Sequence, residues 1–434
     1  MDTTFYIHIG VHKTGTTSIQ QTMFANRDRL LAHGINYLGL EANHGPILAS
    51  LVSDLPHKDA WNVRRHIDTP AKARLYNTWN MYRLRKALSR NRSPKMVISG
   101  EGFSGVQDET IHRIKPLFDR YAGAYRVIVY VRDPYEYATS ASLQRVVQGA
   151  TLGDRKVPLP RYRRKIEKYI RMFGRENIDI RIFDPRRFVN GDLISDFLVA
   201  LGEPPELRTG LDVVRANQSM SHEAALILNE ANIAIPVHLD GRANRARAFD
   251  FSLYVAEIAG VKFSIDPKIY VRHESKIRAD LDWLNQTIGE RVFDRPVARP
   301  ASSPAWSEAT VRSIQGVAGQ MAQTIRQLTA RRHIRLRLLN SLRKFIPPFG
   351  EPGTSDKISG GGFNPEIKIP AGLEWLEGAV KRSETNTIDL AAAPRFDQPM
   401  IRSLGCFLHS LALTIQLLKA KGARGFSQRE TNIG

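Results

Sequence analysis

A lysine lies inside a glycine-bounded loop, in the stretch HIGVHKTGTTSIQ from His8 to Gln20. Gly10, four residues and then Gly15 keep the glycine spacing of the phosphate loop G-x-x-x-x-G-K-[ST]. Thr16 and Thr17 stand where that loop has its lysine and Ser/Thr, and the lysine has moved inward to Lys13. Backbone amides at a helix N-terminus attract an anion. Thr14, Thr16, Thr17 and Ser18 would add hydroxyl donors, and Lys13 a positive charge suited to a leaving or bridging oxygen. Thr17 could hold a metal, but no acidic strand end completes a magnesium site, because Asp133 stands beside Arg132. The loop therefore reads as an anion site that needs no metal. The alternative is a glycine turn before a helix with a solvated lysine.

A second constellation lies in RVIVYVRDPYEYATSAS, Arg126 to Ser142. Arg132 ends an apolar strand and Ser140 follows eight residues later. If Pro134 opens a helix, Ser140 lies about two turns in, near Arg132. An arginine and a hydroxyl suit a second phosphate. Otherwise Arg132 pairs locally with Asp133 or Glu136, and Ser140 is ordinary helix surface.

The elements that must position these groups follow from apolar patterning. TFYIHIG near Phe5, KMVISG near Val97, YRVIVYVR near Ile128 and IDIRIF near Ile180 read as buried strands. Helical spacing appears over Ser18 to Leu31 and over Tyr162 to Phe173. Alternation of strands and helices predicts an α/β fold with a central parallel sheet flanked by helices. In such sheets ligands bind at the carboxyl ends of the strands, where the Lys13 loop, Glu101 and Arg132 all fall.

Together the motifs resemble the sulfotransferases that use 3′-phosphoadenosine 5′-phosphosulfate, and among them the bacterial, P-loop-like members. The resemblance is carried by KTGTT, Lys13 to Thr17, and by Arg132 with Ser140, in matching order and spacing. A looser likeness runs over about Thr3 to Asp294, through IRIFDPRRF, FLVALG and RANQSMSHEA. It implies a P-loop nucleoside-triphosphate-hydrolase-like fold and a sulfuryl transferase using the phosphosulfate as co-substrate without a metal. It also implies that Lys13, Thr14, Gly15, Thr16, Thr17 and Ser18 hold the 5′-phosphosulfate, while Arg132 and Ser140 hold the 3′-phosphate. Lys13 would stabilise charge on the bridging oxygen.

Transfer to a hydroxyl needs a general base, a His or a Glu in this family. Glu101, in VISGEGFSG, resembles the strand-then-turn glutamate of bacterial relatives; otherwise it is an acid favoured near a helix start. Glu41 and His44 in LEANHG are rivals, and His44 reads equally as a loop histidine. His12 reads as a loop side chain. Asn217 and Ser219 are further candidates for cofactor contact. The acceptor is expected to be a carbohydrate, and the basic run Arg155 to Arg175 would suit an anionic glycan. A P-loop kinase or nucleotide-binding protein, or a non-catalytic protein of the same fold, stands as the alternative.

The chain has 434 residues and a formal net charge of +20, with one cysteine, Cys406. One cysteine excludes an internal disulfide and a cysteine-rich zinc site. The charge favours anionic partners, but no recognition motif for nucleic acid is present. The N-terminus does not read as a signal peptide and no apolar run is long enough for a membrane span, so a cytoplasmic protein is expected. Residues 1–300 are expected to form the sulfotransferase-like domain. A helical basic extension follows over 301–346, then a linker over 347–362 and a segment of unassigned role over 363–434. Within the extension, the basic amphipathic stretch 331–344 would suit peripheral contact with an anionic membrane, or else a solvated helix face.

Overall fold

In a computed structural model, the described residues are 3–11, 13–152, 157–214, 220–234, 236–239, 242–243, 252–293 and scattered positions from 304 to 320. The basic stretch 331–344, the linker 347–362 and the segment 363–434 lie outside them, as do His12, Asn217 and Ser219. The described residues fall into two compact units.

The first unit draws on 1–144, 154–218 and 264–301. It is built on five parallel strands: β1 (Thr4–Gly10), β2 (Ile35–Tyr37), β3 (Lys95–Glu101), β4 (Ala124–Val131) and β5 (Ile178–Ile182). Their order is β2-β3-β1-β4-β5. Four of the five are the apolar runs picked out by sequence. The exception, β2, is three residues long and too short to show a period. The fold is thus mixed α/β with helices on both faces of the sheet, as expected.

Burial explains the composition of the central strands. Val127 to Val131 of β4 are all at most 1% exposed, which a strand covered on both faces requires. Alternate residues serve opposite layers. Ile128 and Tyr130 join Ile19, Met23 and Phe197, from the helices Thr16–Ala25 and Leu193–Ala200. Tyr125 of the same strand meets Phe173, at the end of the helix Tyr162–Phe173, with ring centroids 5.2 Å apart. The helix expected over Ser18 to Leu31 is broken at Asn26 into Thr16–Ala25 and Arg27–Ala32. The Asn26 amide group donates to the carbonyls of Thr22 and Asp212 at 2.8 and 3.0 Å, which holds the break.

The strand order has a consequence for ligands. The chain runs from β1 outward to β2, back through β3, and then crosses to β4 on the other side of β1. The reversal falls between β1 and β4, and the crevice at such a point is where open α/β sheets take their ligands. The residues that follow those two strands are the Lys13 loop and Arg132.

Among the described residues, the second unit draws on stretches within 145–152, 220–263 and 304–320. Its helix His222–Ala234 is anchored by Ser221 Oγ donating to Ile258 O at 2.7 Å. The Asn232 amide donates to the carbonyls of Val146 and Ala150 at 2.7 and 2.8 Å. Among the described residues no helix is long and apolar enough to cross a membrane.

Candidate active site

The loop after β1 is shaped by its own hydroxyls. Thr14 Oγ1 donates to Val11 O at 2.7 Å and Thr16 Oγ1 to the same carbonyl at 3.3 Å. Both threonines are buried. Their hydroxyl protons are therefore spent on the loop backbone, and Thr17 and Ser18 are the half-buried hydroxyl residues of the first helical turn. Gly15 takes φ +70°, and a Cβ there would stand 2.3 Å from Leu193 Cδ2. Gly10 is as constrained, since its Cβ would meet Thr16 Cγ2 at 2.5 Å and Glu101 Cα at 3.1 Å. Both glycines thus let chain segments approach closely. Lys13 also takes a positive φ, +69°, uncommon for a residue with a side chain. The helix start has no side-chain cap, which leaves first-turn amides for an anion.

Arg132 brings the second constellation to this loop. Its Nη1 donates to Lys13 O at 3.1 Å, across 119 residues of sequence. Its Nη2 donates to Glu136 Oε2 at 3.1 Å, and its guanidinium lies over the Phe183 ring, 5.4 Å from the centroid. The Tyr162 hydroxyl fixes the Arg132 backbone, accepting from its N–H at 3.1 Å and donating to its carbonyl. Pro134 does open a helix, Pro134–Val147. The Asp133 carboxylate caps it, accepting from the amides of Tyr135 and Glu136 at 3.0 Å each.

That helix lays one stripe along the site. Glu136, Ser140 and Gln144 recur every four residues and so share a face. Glu136 holds Arg132 at one end. At the other end Gln144 Oε1 accepts from Lys13 Nζ at 2.6 Å. Ser140, half-buried, stands between them. Arg132 thus pairs locally with Glu136, the alternative weighed from sequence, and also reaches the Lys13 loop. Sequence picked out Glu136 only as a local partner of Arg132, and Gln144 not at all. Steps of four on either side of Ser140 would have found them.

Glu101 ends β3 opposite Gly10. Its amide donates to Asn43 Oδ1 at 3.1 Å, and the same oxygen accepts from Gly45 N at 3.1 Å. The turn that follows is tied to β1 by Ser104 Oγ donating to Gly10 O at 2.9 Å. Burial lowers the pKa of Lys13; the negative charge of Glu101 works against that shift, and the positive charge of Arg132 adds to it. Glu101 and Lys13 therefore share one electrostatic site.

The expectation for His44 is corrected here. Its ring is fully buried. Nε2 donates to Leu38 O at 2.7 Å, and Nδ1 accepts from Ser99 N at 2.9 Å. With both nitrogens committed to backbone, His44 braces the sheet edge and has no lone pair to offer a substrate. Glu41 forms a salt bridge with Arg65 at 2.9 Å and is brought to neither Lys13 nor Arg132 by any contact among the described residues.

The site floor holds a second buried histidine that sequence did not single out. His8 Nδ1 lies 2.8 Å from Ser99 Oγ, and that oxygen also accepts from Gln20 Nε2 at 3.2 Å. Burial lowers the pKa of His8 to about 3 and that of His44 to about 4. Below about pH 6.5 the unfolded chain binds protons that these folded rings refuse. Stability should therefore fall as pH drops from 6.5 toward 4, by up to about 1.4 kcal/mol per pH unit for each ring. Urea unfolding of His8→Phe between pH 7 and 4.5 should show a slope shallower by about one ring's share. An unchanged slope would remove His8 from this account.

No family model matches the chain. A protein of Archaeoglobus fulgidus, described as uncharacterized, is 26% identical over 140 residues. That region is 32% of this chain and 38% of that protein, so the chain spans well under half of this relative's length. Among solved structures, a sulfotransferase from Alicyclobacillus acidocaldarius matches over 67% of this chain and 97% of its own, at 14% identity and a TM-score of 0.36.

Proposed function

We propose that the chain transfers a sulfuryl group from 3′-phosphoadenosine 5′-phosphosulfate to a hydroxyl or amine, most simply a hydroxyl of a carbohydrate. The observation that carries this reading is the hydrogen bond from Arg132 to the Lys13 carbonyl. It joins the two halves of the motif, far apart in sequence, into one clamp for a doubly phosphorylated nucleotide. The loop amides from Gly15 to Ser18 take the 5′-phosphosulfate, and Arg132 with Ser140 takes the 3′-phosphate.

In the reaction, Glu101 removes the proton of the acceptor hydroxyl. The acceptor oxygen forms a bond to sulfur as the bond from sulfur to the bridging oxygen breaks. The electron pair of that bond stays on the 5′-phosphate, where Lys13 meets the developing charge. A doubly negative ligand between Lys13 and Arg132 would also offset the burial that lowers the lysine pKa.

Binding of the donor exchanges contacts within the protein. Arg132 must loosen its hold on Glu136 to meet a phosphate. Titration calorimetry with the phosphosulfate in the presence of chelator tests this. Arg132→Ala should weaken binding by about 30- to 100-fold, the worth of charged hydrogen bonds. Glu136→Gln should tighten it by about two- to fivefold by removing a competing carboxylate. Tighter binding of magnesium–ATP than of the phosphosulfate would sink the reading in favour of a kinase-like nucleotide site.

A further inference from the structure

Beside the turn that follows Glu101 lies a second charged site, a cleft of about 480 Å³ in the first unit. Its wall is the outer face of the helix Tyr162–Phe173, with Asp108, Lys276 and Asp280 contributing from neighbouring segments. Six cationic side chains line it: Arg161, Arg163, Arg164, Lys168, Arg171 and Lys276. Three acids line it too, and each is already committed. Asp108 pairs with Arg171. Glu167 pairs with Arg163 at 3.1 Å and with Arg171 at 3.5 Å. Asp280 accepts from the amides of Tyr162 and Arg163 at 2.6 and 2.9 Å, and so caps the helix start.

The cations do not balance. Lys168 is turned inward, donating to the carbonyls of Ser104 and Val106. Arg161, Arg164 and Lys276 are exposed and form no ion pair among the described residues. Arg161 is held at φ +51°, a left-handed conformation that costs energy for a residue with a side chain. Solvation alone would explain isolated arginines on a helix. It does not explain three cations without an ion pair among the described residues, one on a strained backbone, around a single concavity.

We infer that this cleft binds an acidic polysaccharide, a sugar chain bearing carboxylate or sulfate groups. The inner face of the same helix holds the Glu101 turn, through Lys168 and through Tyr169, whose hydroxyl donates to Phe103 O at 2.8 Å. The helix from 161 to 171 is about 15 Å long, so a chain lying along it spans several sugar rings. No aromatic side chain lines the cleft. Single-stranded nucleic acid, which is gripped largely by stacking of its bases, would find charge there but no platform.

The test is binding of oligogalacturonate to the full chain, with neutral dextran and a single-stranded oligonucleotide of equal charge as the other probes. Oligogalacturonate should bind, and more weakly as salt rises. Dextran should not bind. The triple variant Arg161→Ala, Arg164→Ala, Lys276→Ala should lose about tenfold or more in affinity for oligogalacturonate, and Lys276→Glu alone should lose several-fold. Phosphosulfate affinity should stay within about twofold of wild type, since none of the three touches the nucleotide clamp. Unchanged oligogalacturonate affinity in these variants, or tighter binding of the oligonucleotide, would overturn the inference. Failure of sulfuryl transfer would leave this affinity measurement standing, so the two readings fail separately.

Discussion

Replacing Lys13 by alanine should lower turnover by about 10²- to 10³-fold, the usual loss when a donor aimed at a developing oxyanion is removed. Donor affinity should fall far less, because the loop amides and Arg132 remain. The reason is the site's burial. A cation partly shielded from water acts on a developing charge with little screening, and water entering the alanine variant could not replace it at the same strength. Burial also lowers the lysine pKa. A lowered pKa means that the proton is lost as pH rises, at a lower pH than for a solvated lysine. The alkaline limb of kcat/KM, which reports the free enzyme, should therefore begin below the ordinary lysine range. The limb of kcat should lie higher, because bound phosphates favour the charged amine. Single-turnover transfer of labelled sulfuryl checks the first point. Wild-type turnover in Lys13→Ala would remove the lysine from the chemistry.

The second large effect belongs to Glu101. Glu101→Gln keeps the shape of the side chain and removes the base, so turnover should fall by about 10²- to 10⁴-fold. Two roles for this carboxylate can be separated. If it takes the proton of the acceptor, the acid limb of kcat should vanish in the variant. If it serves only to keep Lys13 charged, the acid limb should persist, and the alkaline limb should move to lower pH, since the Glu101 charge works to raise the lysine pKa. Full pH profiles of both proteins decide between them. An intact acid limb at near wild-type rate would exclude Glu101 as the base.

Much of this arrangement could be read in the chain itself, for reasons that are local. β1, β3, β4 and β5 announce themselves because strands buried on both faces must be almost wholly apolar. The loop glycines show because positive φ and close approach leave few other choices. The Arg132–Ser140 spacing shows because a helix fixes the distance from its own first turn. What escaped depends on contacts between distant segments. The spacing of Ile19, Met23 and Leu30 runs through Asn26, yet the helix breaks there because Asp212, far along the chain, offers its carbonyl. His44 reads as a chemically able histidine. Only the fold shows that Ser99, 55 residues later, occupies one nitrogen while Leu38 occupies the other. The 20-residue helix Pro70–Ser89 was missed because Leu75, Trp79 and Tyr82 lie on its exposed side and blur the apolar stripe.

The stripe of Glu136, Ser140 and Gln144 works as a ruler. Eight residues of helix separate its ends by about 12 Å, and each residue turns the face by about 100°. Insertion or deletion of one residue between Glu136 and Gln144 would swing one end away while leaving the other in place. Every side chain could be preserved and the two halves of the clamp would still be parted. On the proposed clamp, the separation at which the site would grip its ligand follows from the count of residues between two polar side chains, so the stretch Glu136 to Gln144 should tolerate no change in length.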